Sequence, residues 1–134
     1  MPEQTVAPPA RTGDRLSGRV ALVAGAGSAI GRGISLRLAR EGASIILVDA
    51  DRDEATLALE QIREAGGVAH VGASAPPQRA DAERIVADAL SRFGRIDILV
   101  AGADYRTPWE PLADKSATSF DRALRSFHEA VILM

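Results

Sequence analysis

Apolar positions along this chain recur with two periods, and each change of period marks an element boundary. Val20-Ala21-Leu22-Val23-Ala24 is a continuous apolar run, the pattern of a strand covered on both faces. Ile30, Ile34 and Leu38 then follow at four-residue spacing, which predicts a helix with those three side chains inward and Gly42 as its stop. Ser44–Val48 predicts a second buried strand. A second helix follows, with Asp51 as N-cap, Glu54 in capping-box position, Leu57, Ala58 and Ile62 inward, and Gly66-Gly67 at its end. Val68–Val71 predicts a short third strand and 72–79 a loop. A helix is expected from about Asp81 to Phe93, with Ile85, Val86, Ala89, Leu90 and Phe93 inward and Gly94 closing it. Ile96–Ala101 predicts a fourth strand and 102–115 a polar loop. The last helix, from about Ser116, carries a stripe of Phe120, Leu124, Phe127, Val131 and Met134.

Strands alternating with helices of this length predict an α/β fold, a parallel sheet of strand order 3-2-1-4 with flanking helices. The 134 residues suffice for one domain. Residues 1–13, with prolines at 2, 8 and 9 and no apolar stretch, are expected to be a disordered arm rather than a signal peptide. Residues 14–134 are the expected domain.

Charge and composition remove whole classes of function. A formal net charge of −2 with both signs interspersed offers no basic face to nucleic acid. No apolar run approaches the length of a membrane span, so a cytoplasmic protein without nucleic-acid or membrane partners is expected. The chain has no cysteine and only two histidines, His70 and His128, which excludes thiolate chemistry and leaves no metal set.

The chemistry concentrates in Val20–Arg32, where an apolar strand runs through a glycine-rich turn into a helix. A pyrophosphate needs bare backbone N–H groups and the positive end of a helix. Gly25, Gly27 and Gly31 lack the Cβ that would hold the backbone off, and Asp49 ends the next strand at the spacing expected of a ribose ligand. The competing reading is a glycine-rich turn with no ligand. The bland reading also fits His70, expected to be packed or edge-exposed because no carboxylate is placed to orient it. Asp97 is expected at the entry of strand four, bonded to backbone or near Arg95.

Three stretches together resemble the N-terminal half of the short-chain dehydrogenases/reductases: Leu16–Val23 leading into the glycine turn, Asp49 closing strand two, and Phe93–Val100 leading into strand four. The resemblance covers about residues 14–134 and implies a partial Rossmann-type domain that binds NAD(H) or NADP(H) for alcohol/ketone oxidoreduction. The family's Thr-Gly-x-x-x-Gly-x-Gly motif falls on Ala24, Gly25, Ala29 and Gly31, so Ala29 adds a methyl where a glycine is usual. The resemblance places cofactor contacts at Gly25, Gly27, Ser28, Ala29, Ile30, Gly31, Asp49, Ala101 and Gly102. Asp49 implies NAD(H) over NADP(H), because a 2′-phosphate would meet its charge, with Ala29 making the binding weak.

The sequence departs from the family at other positions. The acid after strand three is Gly72, the Asn-Asn-Ala-Gly motif is Ala101-Gly102-Ala103-Asp104, and the tetrad asparagine aligns with Phe127. The single tyrosine, Tyr105, and the single lysine, Lys115, lie ten positions apart and cannot form Tyr-x-x-x-Lys. No catalytic residue is therefore assigned, and the chain by itself is expected to be inactive. Two readings remain: the cofactor-binding half of such an enzyme, or a non-catalytic dinucleotide-binding or scaffold subunit paired with an intact family member. In both, the last helix is expected to form a homo- or hetero-oligomer contact.

Overall fold

A computed structural model describes residues 13–72, 79–102 and 111–132. Four strands, β1 (Val20–Ala24), β2 (Ser44–Val48), β3 (Val68–Val71) and β4 (Ile98–Ala101), form one parallel sheet in the order β3-β2-β1-β4. The connecting helices are α1 (Ala29–Arg40), α2 (Arg52–Glu64) and α3 (Arg79–Phe93). A short 3-10 turn at Leu112–Asp114 precedes α4 (Ala117–Ile132). The first three strands match their expected bounds. The fourth starts two residues later than expected, because Ile96 packs against the core of the α3 face and Asp97 turns to other partners.

The two faces of the sheet have separate cores. Ala21, Val23, Ile45 and Leu47 meet Ala39 of α1 and Ala58 and Ile62 of α2, while Val20, Leu22, Ile46 and Val48 meet Ile85 and Ala89 of α3. The two sets alternate along β1 and β2, the period-two consequence of a pleated strand. Both strands are buried on both faces, as their unbroken apolar runs require. The chain moves outward from β1 to β3 with α1 and α2 on one face, then crosses back to β4 with α3 on the other.

Helix faces depart from the apolar periodicity. The buried residues of α1 are Gly31, Ser35 and Ala39, and Ile30 is 77% exposed. The helix lies too close to the glycine turn for a branched side chain on that face, and Ser35 is buried there because its Oγ donates to the Gly31 carbonyl at 2.8 Å. In α2 the inner set is Ala55, Ala58 and Ile62, with Leu57 exposed; in α3, Leu90 is exposed and Ala82 is buried in addition to Ile85 and Ala89. Asp51 caps α2 by accepting from the N–H groups of Asp53 and Glu54. The reciprocal half of a capping box is missing, since the Asp51 N–H goes to Asp49 and the Glu54 carboxylate lies 3.6 Å from Arg32. None of the described side chains of α4, from Ala117 to Arg125, is buried.

Two ion clusters fasten the base of the sheet. The Asp97 carboxylate accepts from Arg95 Nε at 2.9 Å, from the Val20 N–H at 2.9 Å and from Arg19 at 3.0 Å, tying the entry of β4 to the start of β1. Arg95 first, then the Val20 amide and Arg19, hold its carboxyl far below the usual carboxylate range. Glu41, whose side chain is only 7% exposed, accepts from Arg15 at 2.7 and 2.9 Å and from Arg37 at 2.5 Å. It joins the segment before β1 to the end of α1.

Gly31 and Gly33 both lie in α1, yet their surroundings differ sharply. A Cβ on Gly33 would meet nothing within 4 Å, whereas one on Gly31 would land on the Gly25 carbonyl. Gly33→Ala is expected to stabilise the chain by roughly 0.5–1 kcal/mol and Gly31→Ala to destabilise it by more than about 2 kcal/mol. Denaturant unfolding of both variants checks the contrast, and equal effects would refute it.

Candidate dinucleotide site

The C-terminal ends of the strands bring most of the candidate residues together. The order of the sheet reverses at β1, so the crevice between the ends of β1 and β4 is a topological switch point, where open α/β sheets place ligands. Gly25 leaves β1 at φ +73°, with its N–H on the Val48 carbonyl at 2.8 Å. A Cβ on it would lie 2.9 Å from the Gly102 oxygen, and one on Gly102 would lie 2.5 Å from the Ala24 oxygen. These glycines let protein backbone approach protein backbone. Bareness toward a ligand is therefore only part of their role.

The turn is held by Ser28 and Asp49. Ser28 is the N-cap of α1, its Oγ accepting from the Gly31 N–H at 3.0 Å and donating to the Gly25 carbonyl at 2.8 Å. Asp49 is buried; its Oδ2 accepts from the Gly27 N–H at 2.8 Å and its Oδ1 from the Asp51 N–H at 2.9 Å. Gly27 has no room for a side chain, because a Cβ would sit 2.6 Å from Glu54 Cβ. With the Gly27, Ser28 and Gly31 amides engaged, the N–H groups of Ala29 and Ile30 are the first-turn donors of α1 without a partner among the described residues. Both residues are exposed. Two unpaired amides at a helix N-terminus beside a buried carboxylate can take an anion and a pair of hydroxyls.

All nine expected contact residues are described and lie at or beside this edge. Ala101 and Gly102 are half-buried, and the Gly102 N–H bonds the Ala24 carbonyl at 3.0 Å. Gly72 leaves the end of β3 with only ordinary contacts awaiting a side chain, from Ile46 and Val48. Tyr105 and Trp109 lie outside the described residues, as do the side chains of Phe127 and His128. The expectation that no carboxylate orients His70 is corrected: Asp88 Oδ2 lies 3.2 Å from its Nε2. Sequence reading missed this pair because the two residues meet only when α3 folds over the sheet. It also missed the second duty of Asp49, which depends on how near the turn comes to β2.

The family model for short chain dehydrogenase matches residues 19–134. The chain belongs to the short-chain dehydrogenase/reductase family. This short-chain dehydrogenase/reductase chain is 36% identical over 105 residues to 1,6-dihydroxycyclohexa-2,4-diene-1-carboxylate dehydrogenase of Acinetobacter baylyi, a match that covers 75% of this chain and 40% of that protein. It is 35% identical over 126 residues to dehydrogenase/reductase SDR family member 4 of Oryctolagus cuniculus, covering 90% and 46%. Its fold superposes on the crystal structure of NAD+-bound xylitol dehydrogenase with a TM-score of 0.78 at 30% identity, covering 87% and 46%. The chain thus spans under half the length of these relatives. The family binds nicotinamide dinucleotides, and no described helix is long and apolar enough to cross a membrane.

Asp49 acts on the protein before any ligand does, so Asp49→Ala is expected to destabilise the chain without cofactor by about 2–3 kcal/mol, the cost of leaving two amides near a buried site unpaired. Asp49→Asn should fall between. Denaturant unfolding in cofactor-free buffer is the measurement, and a neutral Asp49→Ala would show that the turn holds its shape unaided.

Proposed function

We propose that this chain is the dinucleotide-binding half of an alcohol/ketone oxidoreductase, preferring NAD(H) to NADP(H) and binding it weakly. The observation that carries the reading is the pairing of a buried Asp49 with the unpaired amides of Ala29 and Ile30. The pyrophosphate would take those two amides at the positive end of α1. Each Asp49 oxygen holds one backbone N–H and keeps further acceptor capacity, which the two hydroxyls of the adenosine ribose would use. A 2′-phosphate in that place would meet the carboxylate. Gly25, Gly27, Ser28 and Gly31 frame the cradle, and Ala101 with Gly102 borders it from β4. A nicotinamide dinucleotide held there would supply or accept the hydride; Ala29 and Ile30 would hold its pyrophosphate and Asp49 its adenosine ribose, and none of the described residues is assigned the proton.

A second reading, a non-catalytic dinucleotide-binding or scaffold subunit, is favoured by the substitutions at Ala29, Gly72 and Ala101, which remove family contacts with the cofactor. Both readings share the cradle and a cytoplasmic setting without nucleic-acid or membrane partners, and calorimetry tests that cradle. NADH is expected to bind more tightly than NADPH, Asp49→Ala to erase the difference, and Ala29→Gly to tighten binding several-fold. Tighter NADPH binding by the unmodified chain would overturn the role of Asp49. No measurable NADH binding, even in Ala29→Gly, would leave only the scaffold reading.

We infer that the chain also associates through α4, which suits either reading. Phe120 is 57% exposed and Leu124 45% exposed on its surface, and Leu99 of β4 is 44% exposed. Covering a large apolar side chain stabilises by about 1.5–3 kcal/mol, which favours a homo- or hetero-oligomer at this surface. Light scattering after size exclusion is expected to show dimers or larger species, and Phe120→Glu with Leu124→Glu to reduce them. A monomer at every concentration would refute the contact.

A further inference from the structure

Two carboxylates from neighbouring elements meet at Gly27. A Cβ on Gly27 would lie 2.6 Å from the Glu54 Cβ and 3.0 Å from Asp49 Oδ2, so the stem of Glu54 and the carboxylate of Asp49 lie side by side against one peptide of the glycine turn. Asp49 holds that peptide by its N–H at 2.8 Å. From there the Glu54 carboxylate reaches α1, where its Oε2 is 3.6 Å from Arg32 Nη1. Arg32 follows Ser28, the cap of α1, by one helical turn, and its N–H bonds the Ser28 carbonyl at 2.8 Å. Its guanidinium thus stands on the flank of α1 that faces the start of α2.

The two carboxylates are committed differently. Asp49 is buried and accepts from two backbone N–H groups, those of Gly27 and Asp51. The Glu54 carboxylate meets Arg32 at a distance too long for a hydrogen bond, and both side chains are partly exposed. Such a pair neutralises a cation without fixing it and adds little to folding. A guanidinium suits phosphate through its planar fork of N–H donors. Released from Glu54, Arg32 would be a free cation at the turn where the proposed adenosine ribose lies, and it would attract a 2′-phosphate there. Paired with Glu54, it offers that phosphate no net charge.

We propose that Glu54 is a specificity-determining residue for the dinucleotide and acts by masking Arg32. The inference rests on the dinucleotide reading and deepens it: Asp49 repels the 2′-phosphate, and Glu54 withholds the cation that would offset the repulsion. Loss of Asp49 alone therefore leaves no preference, since Arg32 stays masked. The test is calorimetric titration of the full chain with NADH and with NADPH at constant ionic strength, repeated on Glu54→Gln and on Glu54→Gln combined with Arg32→Ala. Gln keeps the stem against Gly27 and removes the charge. The ratio of NADPH to NADH affinity is expected to rise at least about fivefold in Glu54→Gln, and to return to that of the unmodified chain when Arg32→Ala is added. Cofactor-free Glu54→Gln is expected to unfold at the denaturant midpoint of the unmodified chain. An unmoved or lower ratio in Glu54→Gln, with NADH still bound, would overturn this inference alone. So would a rise that survives Arg32→Ala, which would show Glu54 acting on the phosphate directly, or a large loss of stability in Glu54→Gln, which would make the pair structural. Binding of neither dinucleotide, by the chain or its variants, would sink the dinucleotide reading and this inference with it.

Discussion

The carbonyl of Gly25 occupies the space that a Cβ on Gly31 would need, and the carbonyl of Gly102 lies 2.9 Å from where a Cβ on Gly25 would be. The backbone at the end of β1 is thus approached from α1 on one side and from β4 on the other. The rest of the functional edge depends on these approaches. They bring the first turn of α1 onto the end of the sheet and bring Ala101 and Gly102 beside the turn. The inner face of α1 must then be narrow, which is why Gly31, Ser35 and Ala39 lie inward while Ile30 faces solvent.

Asp49 completes what the close packing begins. One of its oxygens fixes the Gly27 amide and the other the start of α2, so a single buried carboxylate sets the glycine turn and the second helix relative to each other. Ser28 takes the Gly31 amide in the same way. The donors left over belong to Ala29 and Ile30, both at the positive end of the helix and both exposed. Preorganisation of this kind lowers the ordering cost that a ligand would otherwise meet.

The grouping of the candidate residues was legible in the chain because it is local. Gly25 to Gly31 and Asp49 are carried by one strand-turn-helix-strand unit, and hydrogen bonds within that unit position them. The His70–Asp88 pair was not legible, because β3 and α3 meet there only once the crossover has laid the helix back over the sheet. Asp97 was intermediate: its place at the entry of β4 and its bonds to backbone and Arg95 could be read, but that the backbone is Val20 and that Arg19 joins it depend on the β1–β4 pairing.

Continuous apolar runs determined β1 and β2, and with the glycine stops and the Asp51 cap they determined the order of elements. A buried strand has to be apolar on both faces, and that leaves an unambiguous trace in the residues. The direction in which each helix faces was decided only by tertiary structure. Ile30, Leu57 and Leu90 satisfy helical periodicity but stand outside, while Ala55, Ala82 and Gly31 lie within. Where a helix packs closely on a sheet or a turn, the space available selects small side chains, and that space exists only once both elements are in place.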